Sequence, residues 1–332
     1  MPRAVLIGGT GLIGRAAARA LATDGWEVVA VSRSGALPDG LEELGVEAVA
    51  ADREDDGQLR AAIGSGADVV YDSVAMHRAH GEQLNALEGL VGSLVVISTA
   101  SVYADEKGRA FDGEGGEPPQ LPVPILETQP TAPPGDATYS TNKAALEQTL
   151  LRGPLPTTLI RACAVYGRGM KNPRELYFVK RAFDDRRRVA IAWRGESRFN
   201  TVSVANLAEL IRLAAAQPGD RILNGGDPDP PSTLEICRAI GDALEYEFEP
   251  VLLPADEFNN PWGVPSSSPL VVSMEAAERE LGYRPVTTYP QAVPETCAWL
   301  MSELERGRTW EGSYIADTLD YAVEDAAFAS LA

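Results

Sequence analysis

The sequence predicts an α/β protein built on a doubly wound parallel sheet, and three observations support this fold class. Short apolar runs alternate with segments of helical apolar spacing from residue 3 to about residue 165. These runs are continuous and rich in β-branched residues, which is typical of strands buried on both faces. The first run ends in a glycine-rich turn that leads directly into a helical segment. Strands that alternate with helices in this way form parallel sheets whose two faces are both covered.

The elements of the first half follow in a regular order. Residues 3–7 (RAVLI) form the first strand, and the helical spacing of LIGRAAARALATDG ends at Gly25. Further strands are predicted at WEVVAVS, GVEAVAAD, ADVVYDSVA, LVVIST and TTLIRACAV, and further helices at DGQLRAAIGSG and from Tyr139 to about Leu151. Residues 103–137 interrupt this order. They are rich in Pro, Gly and acidic residues and predict a long loop, which in a compact domain is usually functional.

Beyond Tyr166 the pattern becomes irregular and indicates a smaller second domain. Helices are predicted at ELYFVKRAF, VANLAELIRLAAA and TLEICRAIGDAL, and a strand at RILNGG is expected to rejoin the first sheet. The expected division gives residues 1–165, with a returning segment near 199–226, to the larger domain, residues 166–198 and 227–305 to the smaller domain, and 306–332 to an acidic tail. We expect this tail to pack as a helix on the body or on a second subunit.

Composition limits the cellular location and the kinds of structural site that we expect for this protein. The chain of 332 residues contains no run of about 18 apolar residues, so no membrane span is expected. Its first residues lead straight into a strand, which leaves no room for a signal peptide. The three cysteines, Cys163, Cys237 and Cys297, are far apart and show no Cys-x-x-Cys pairing, so neither a disulfide scaffold nor a zinc site is expected. A cytoplasmic location is the natural expectation.

Charge excludes one class of partner. The formal net charge of −19 argues against binding to a nucleic acid, because neutralising phosphates requires a basic surface. The basic cluster KRAFDDRRR, residues 180–188, is interpreted as a solvated helix face or helix end, with a local anion contact as the alternative. His77 and His80 lie three residues apart, and no nearby His or Cys supplies a third ligand, so no metal site is expected.

The glycine-rich turn indicates a site for a dinucleotide. Gly8, Gly11 and Gly14 lie between a strand and a helix, where glycines permit a tight turn and let a pyrophosphate approach the backbone. The helix that begins near Leu12 would present free N–H groups and the positive end of its dipole to that anion.

Residues at the ends of the next two strands indicate which dinucleotide is bound. A carboxylate at the end of the second strand would bind the adenosine ribose and repel a 2′-phosphate. This sequence instead has Ser32 and Arg33 there, and a guanidinium suits a phosphate, so NADP is predicted with NAD as the alternative. Arg33 could instead stack on the adenine. Asp52, after the third strand, could bind the adenine amino group or cap the following helix.

Tyr139 and Lys143 are spaced four residues apart at the start of a predicted helix. Residues at i and i+4 share one face of a helix, so both side chains can point into one cleft. This spacing alone is common. Its interpretation depends on the other motifs of the chain.

Taken together, the N-terminal glycines, STASVY (98–103), YSTNK (139–143) and LIRACAVYG (159–167) resemble the extended short-chain dehydrogenase/reductases, often called the NAD-dependent epimerase/dehydratase family. The likeness runs from about residue 3 to about residue 300. It implies a Rossmann-type sheet of about seven parallel strands, a smaller C-terminal substrate-binding domain and a homodimer formed through the helix that carries Lys143.

The resemblance also implies roles for individual residues. Tyr139 would be the catalytic acid/base, Lys143 would lower its pKa and hold the nicotinamide ribose, and Thr99 would orient the substrate oxygen. The residues expected to bind the cofactor are Gly8, Thr10, Gly11, Leu12, Ile13, Gly14, Ser32, Arg33, Asp52, Arg53, Ala75, Lys143, Ala162, Cys163 and Val165. The residues expected to line the substrate pocket are Ser101, Tyr166, Arg168, Tyr177 and Trp262.

Departures from the family pattern favour one activity over the others. Dehydratases of the family often carry Asp-Glu after the catalytic threonine, where this chain has Ala100 and Ser101. Together with Arg33, this favours an NADP-dependent reductase of a small-molecule carbonyl. The alternatives are a nucleotide-sugar epimerase or dehydratase with retained NAD, and a non-catalytic dinucleotide-binding or RNA-associated protein.

Overall fold

A computed structural model describes residues 1–38, 40–112, 117–254, 261–262 and 264–329. The predicted loop and the acidic tail therefore include residues, 113–116 and 330–332, that lie outside the described residues. The strands are β1 (Arg3–Ile7), β2 (Glu27–Ser32), β3 (Glu47–Ala50), β4 (Ala67–Asp72), β5 (Val91–Thr99), β6 (Thr157–Ala162), β7 (Ala164–Tyr166), β8 (Arg188–Ile191), β9 (Thr201–Ser203), β10 (Arg221–Gly225) and β11 (Glu249–Leu252). The helices are α1 (Leu12–Thr23), α2 (Asp56–Ile63), α3 (Arg78–Asn85), α4 (Tyr139–Leu151), α5 (Leu176–Phe183), α6 (Val204–Ala216), α7 (Thr233–Leu244), α8 (Glu275–Leu281), α9 (Tyr289–Glu305) and α10 (Tyr321–Ala329).

Seven strands form one parallel sheet in the order β10-β6-β5-β4-β1-β2-β3. This confirms the doubly wound, Rossmann-type class. The chain builds the sheet outward from β1 to β3 and then returns to place β4 on the other side of β1. Ligands of open α/β sheets bind at such a reversal, outside the carboxyl ends of the strands. The segment RILNGG rejoins the sheet as its edge strand β10, as the sequence predicts.

Alternate residues of the central strands bury opposite faces of the sheet. Ala4 and Leu6 pack with α1, α6 and α8 in one apolar core, whereas Val5 and Ile7 pack with α2, α3 and α4 in another. This two-sided burial explains why the strands read as continuous apolar runs rather than as an alternating pattern.

A third apolar core belongs to the C-terminal part of the chain. It is formed by α5, α7, α9 and the paired strands β8 and β11, and its centre includes Phe178, Ile240 and Val293. Of the helices in the described residues, α3, α8 and α9 are not predicted from the sequence. Pro290 and Pro294 lie in α9, and prolines are rarely placed beyond the first turn of a helix.

The predicted strand TTLIRACAV is two strands. It breaks at Cys163, whose backbone N–H donates to the Gly225 carbonyl, so β6 stays in the large sheet and β7 pairs with β9 instead. Residues 103–112 and 117–138 hold no helix or strand apart from isolated bridges, in agreement with the predicted loop. Among the described residues, no helix has both the length and the apolar character needed to cross a membrane.

The acidic tail packs on the body of its own chain through a buried ion pair. Arg181 of α5 and Glu324 of α10 are both fully buried, with 3.0 Å between Nε and the carboxylate. Arg186 donates to the same carboxylate, and so does the backbone N–H of Ala190 in β8. The interpretation of residues 180–188 as a solvated face is therefore wrong for Arg181, because its anion comes from the tail 143 residues away.

We expect Glu324→Gln to lower the free energy of unfolding by about 3–5 kcal/mol, because it leaves the Arg181 guanidinium buried without a counter-charge. Asp325→Asn is the matched control, since Asp325 is exposed and pairs only with Arg186 at the surface; its cost should be at most about 1 kcal/mol. Urea unfolding monitored by tryptophan fluorescence measures both. Equal losses for the two variants would contradict the assignment of the tail to this buried pair.

Candidate active site

The glycine turn after β1 is shaped to receive an anion. Gly8 has a φ of +78°, and its N–H donates to the Val31 carbonyl at 2.9 Å. A Cβ on Gly14 would lie 2.1 Å from the Gly8 carbonyl oxygen, so only glycine lets α1 approach the turn this closely. Gly11 precedes the helix without offering a side-chain cap, which leaves the first backbone N–H groups of α1 for a ligand.

A cavity of about 760 Å³ lies over this turn and over the carboxyl ends of β1, β2, β3 and β4. Ten of the expected cofactor residues line it: Gly8, Thr10, Gly11, Leu12, Ile13, Ser32, Arg33, Asp52, Arg53 and Val165. Sequence reasoning missed other lining residues, among them Glu54, Ser73, Val74, Met170 and Lys171. The volume and the row of strand ends suit an elongated ligand such as a dinucleotide.

The β2 and β3 ends of the cavity carry the groups that would meet the adenosine. Arg33 is exposed and has no ion pair within the described part of the chain. Asp52 lines the cavity and accepts a hydrogen bond from the Glu54 N–H at 3.0 Å. Asp55, not Asp52, caps α2 by accepting from the Gln58 N–H, so the alternative that Asp52 is the helix cap is wrong.

His77, His80 and Glu54 place their ligand atoms within 4.8 Å of one another. Glu54 is the third group that the sequence did not reveal, because it follows β3 while the histidines precede and begin α3. Nδ1 of His80 accepts from the Met76 N–H, and a backbone N–H can only donate. The neutral ring therefore carries its proton on Nε2, directed at Glu54 at 3.0 Å, and burial lowers the pKa of His80. This hydrogen-bonded arrangement uses both ring nitrogens.

Thr99 and Tyr139, 40 residues apart in sequence, meet at the carboxyl end of β5. Thr99 is the last residue of that strand, and its Oγ1 accepts from the Ser101 N–H at 3.1 Å. Tyr139 is the first residue of α4, after the capping box of Thr138 and Thr141. The Thr99 side chain lies close enough to the phenol to influence its pKa, and 46% of the Tyr139 surface is exposed, so a substrate oxygen can reach it.

Lys143 lies one turn further along α4, beneath the surface. Its Nζ donates to the carbonyls of Ala75 at 2.7 Å and Ile97 at 2.9 Å, and the residue is 4% exposed. Burial lowers the pKa of Lys143 to about 8, while the nearby Asp72 and Glu147 oppose that change. The ammonium therefore links the ends of β4 and β5 to the helix that carries Tyr139.

The expectation that Lys143 lowers the pKa of Tyr139 is not met in this structure. Removal from water raises the pKa of the phenol, Thr99 counteracts this by hydrogen bonding, and Asp112 raises it further. The ammonium of Lys143 donates instead to two backbone carbonyls. Tyr139 is consequently a neutral phenol at neutral pH.

Three of the five expected substrate residues lie in protein interior. Tyr177 and Trp262 are at most 1% exposed in the C-terminal core, where Tyr177 donates to the Ala190 carbonyl and Trp262 stacks on Phe178. Tyr166 is buried and packs on Tyr289. The expectation that these three residues line an open pocket is therefore wrong.

The other two are better placed. Arg168 is exposed, and Ser101 lies near the catalytic group, with its Oγ 2.9 Å from the Oγ of Ser140 in α4.

The remaining expected cofactor residues surround the strand ends without lining the cavity. Gly14 lies under the turn, and Ala75 and Lys143 meet behind it. Ala162 and Cys163 are buried where β6 ends, and burial raises the pKa of the Cys163 thiol, so this cysteine is a packing residue and no nucleophile.

A sheet whose reversal point faces a glycine turn, with a Thr–Tyr pair beside a buried lysine, is the arrangement of an oxidoreductase-type enzyme that uses a nicotinamide dinucleotide. Residues 4–226 match the NAD dependent epimerase/dehydratase family, and this match covers more than half of the chain. The chain belongs to that family.

Solved structures with the same fold agree with this assignment. The UDP-N-acetylglucosamine 4-epimerase of Bacillus cereus aligns with a TM-score of 0.68 at 18% identity, covering 90% of this chain and 99% of that chain. The dTDP-glucose 4,6-dehydratase of Bacillus anthracis str. Ames, in complex with NAD, gives 0.68 at 16% identity over 92% and 98%. The UDP-glucose 4-epimerase of Thermus thermophilus, also with NAD, gives 0.65 at 21% identity over 92% and 100%. At these identities the likeness establishes the fold alone. A search of curated proteins finds no match.

We expect one lysine of this chain to titrate near pH 8. The chain has four lysines, so NMR of protein labelled with ¹³C at lysine Cε gives few signals, and the one lost in Lys143→Arg identifies residue 143. Because Asp72 raises the pKa of Lys143, Asp72→Asn should move this midpoint to lower pH.

Asp68→Asn, at the other end of β4 and hydrogen-bonded to the Arg3 N–H, is the matched control and should leave that midpoint in place. A Lys143 midpoint above 10, or an upward shift in Asp72→Asn, would show that the ammonium is not held in this buried position.

Proposed function

We propose that the protein is an NADP-dependent reductase that transfers hydride between the nicotinamide and a carbonyl carbon of a small molecule. The observation that carries the NADP assignment is Arg33, which lines the cofactor cavity at the end of β2 without an ion pair among the described residues. A guanidinium in that position is available to a 2′-phosphate, whereas a carboxylate there would repel it.

Tyr139 can supply the proton that a reduction requires. When a carbonyl gains hydride, its oxygen must take up a proton, and a phenol with a raised pKa is the protonated donor at neutral pH. Thr99 would hydrogen-bond the same oxygen, since its hydroxyl already contacts the phenol. Lys143 would hold the nicotinamide ribose from below, next to the two carbonyls that fix its ammonium. The nicotinamide, when bound, supplies or accepts the hydride.

The family also supports a second candidate, a nucleotide-sugar epimerase or dehydratase with NAD retained through the cycle. Several solved structures of the same fold are epimerases or dehydratases. Against dehydration, the two positions after Thr99 hold Ala100 and Ser101, neither of which titrates as an acid or base. Against a non-catalytic dinucleotide-binding or RNA-associated protein, the Thr99–Tyr139 contact is intact and the net charge is −19.

The two enzymatic candidates differ in what the purified protein contains. A reductase exchanges its cofactor at each turnover, so we expect less than about one tenth of purified protein to release a nicotinamide nucleotide on acid denaturation. Chromatography of the released material measures this fraction. Near-stoichiometric NAD would favour the epimerase. We further propose that the protein acts as a cytoplasmic homodimer, which the family resemblance supports.

Arg33→Ala should weaken NADPH binding by about 10- to 100-fold, the loss of one charge-assisted hydrogen bond, and leave NADH binding unchanged. Arg152→Ala removes the same charge from the exposed end of α4, away from the cavity, and serves as the control. Tryptophan fluorescence titrations with NADPH and NADH measure both. If wild-type protein binds NADH more tightly, or if both cofactors lose affinity equally, Arg33 does not read a 2′-phosphate.

A further inference from the structure

A lysine that is absent from the expected cofactor-binding residues lines the cofactor cavity. Lys171 is exposed and shares this cavity with Gly11, Leu12 and Arg33. Within the described ranges it has neither a hydrogen bond nor an ion pair from its ammonium, in a chain whose acidic residues outnumber its basic ones by 48 to 29. A cation left without a carboxylate in so acidic a protein is available to an anionic ligand.

The chain just before Lys171 packs against α1. Residues 167–171, here called the 167–171 turn, follow β7 and fold over the first turn of α1. A Cβ on Gly167 would lie 3.5 Å from Leu12 Cδ1, and one on Gly169 would lie 2.8 Å from a guanidinium nitrogen of Arg15. Both glycines have positive φ, +151° and +88°, which side chains disfavour. A Cβ on Gly167 would lie 2.8 Å from Val204 Cγ2, so a side chain there would clash with α6, whereas its distance to Leu12 is an ordinary contact.

Two further cations border the 167–171 turn. Arg15 projects from the first turn of α1, and burial together with the nearby charge of Arg168 lowers its pKa. Neither arginine has a carboxylate within ion-pair distance among the residues that the structure describes. Arg15 and Arg168 thus place positive charge near the end of α1 where the N–H groups are free, and Glu295 offsets part of it at Arg15. Positive charge in that place favours the binding of a pyrophosphate.

We infer that Lys171 binds the pyrophosphate of the dinucleotide from the side opposite the N-terminus of α1, with Arg15 and Arg168 adding to the local positive potential. The inference rests on the proposed dinucleotide-dependent function and deepens it. Arg33 and Lys171 then have separate tasks. Arg33 distinguishes the two cofactors by the 2′-phosphate, whereas Lys171 recognises a group that both cofactors carry.

The test measures the binding of three probes to the wild-type protein, Lys171→Ala and Arg33→Ala by isothermal titration calorimetry. The probes are NADPH, NADH and adenosine 2′-monophosphate, which has the 2′-phosphate and no pyrophosphate. Lys171→Ala should weaken NADPH and NADH by about tenfold each and leave adenosine 2′-monophosphate unchanged. Arg33→Ala should weaken NADPH and adenosine 2′-monophosphate and spare NADH. Lys107→Ala, an exposed lysine that does not line the cavity, is the control for removing one positive charge.

Each failure has its own signature. Unchanged NADPH and NADH binding in Lys171→Ala, with the same thermal unfolding as Lys107→Ala, overturns the inference. Loss of adenosine 2′-monophosphate binding in Lys171→Ala also overturns it, since the lysine would then read the 2′-phosphate. If the wild-type protein binds only NADH, the proposed preference for NADP is wrong. The effect of Lys171→Ala on NADH binding then still decides the role of Lys171. Wild-type protein that binds neither cofactor removes both proposals.

Discussion

The helix that carries Tyr139 and Lys143 is held in position by a buried ion pair between Arg161 of β6 and Glu147 of α4. The two side chains are joined at 2.7 Å, and Ser98 of β5 donates to the same carboxylate. Glu147 lies one turn after Lys143, and Tyr139 lies one turn before it, so three successive turns of α4 meet the ends of the sheet strands. Because an unpaired buried charge costs several kcal/mol, the register of this helix has a strong energetic constraint. The same constraint fixes the position of Tyr139, the first residue of this helix.

The same ion pair also fixes the long loop that covers the site. Arg161 donates from Nη1 to the Glu127 carbonyl and lies over the ring of Tyr103, whose hydroxyl donates to Asn224 of β10. Asn224 in turn donates its backbone N–H to the Glu127 carboxylate at 2.9 Å. Tyr103 and Glu127 of the loop are therefore both attached to strands of the sheet. The loop can then bring Asp112 to the start of α4, where it accepts from the Ser140 N–H and raises the pKa of the neighbouring phenol.

How far the sequence predicts this protein depends on the range of the interaction concerned. Local patterns suffice for the seven-stranded sheet, for the glycine turn and for α4, which begins at the predicted Tyr139. The electrostatics of the site depend on side chains far apart in sequence, and local patterns do not reveal them. Lys143 meets the Ala75 carbonyl 68 residues away, and a Tyr-x-x-x-Lys spacing does not reveal this contact. For the same reason the sequence pattern around Arg181 predicts a surface residue, because its partner Glu324 lies far away in the tail.

In a protein with a net negative charge, a negatively charged cofactor must be held by positive charge close to its binding site. At physiological ionic strength charges separated by more than about 8 Å are largely screened, so most of the 48 carboxylates have little effect at the glycine turn. Arg161, Arg181 and Arg212 are neutralised by carboxylates within 3.0 Å. Arg33 and Lys171 line the cavity and have no ion pair among the described residues, so their charge adds to the dipole of α1 over the distance that screening permits. Arg53 also lines the cavity but pairs with the buried Asp72 at 3.4 Å. A short-range positive field therefore remains for a dinucleotide in spite of the overall negative charge.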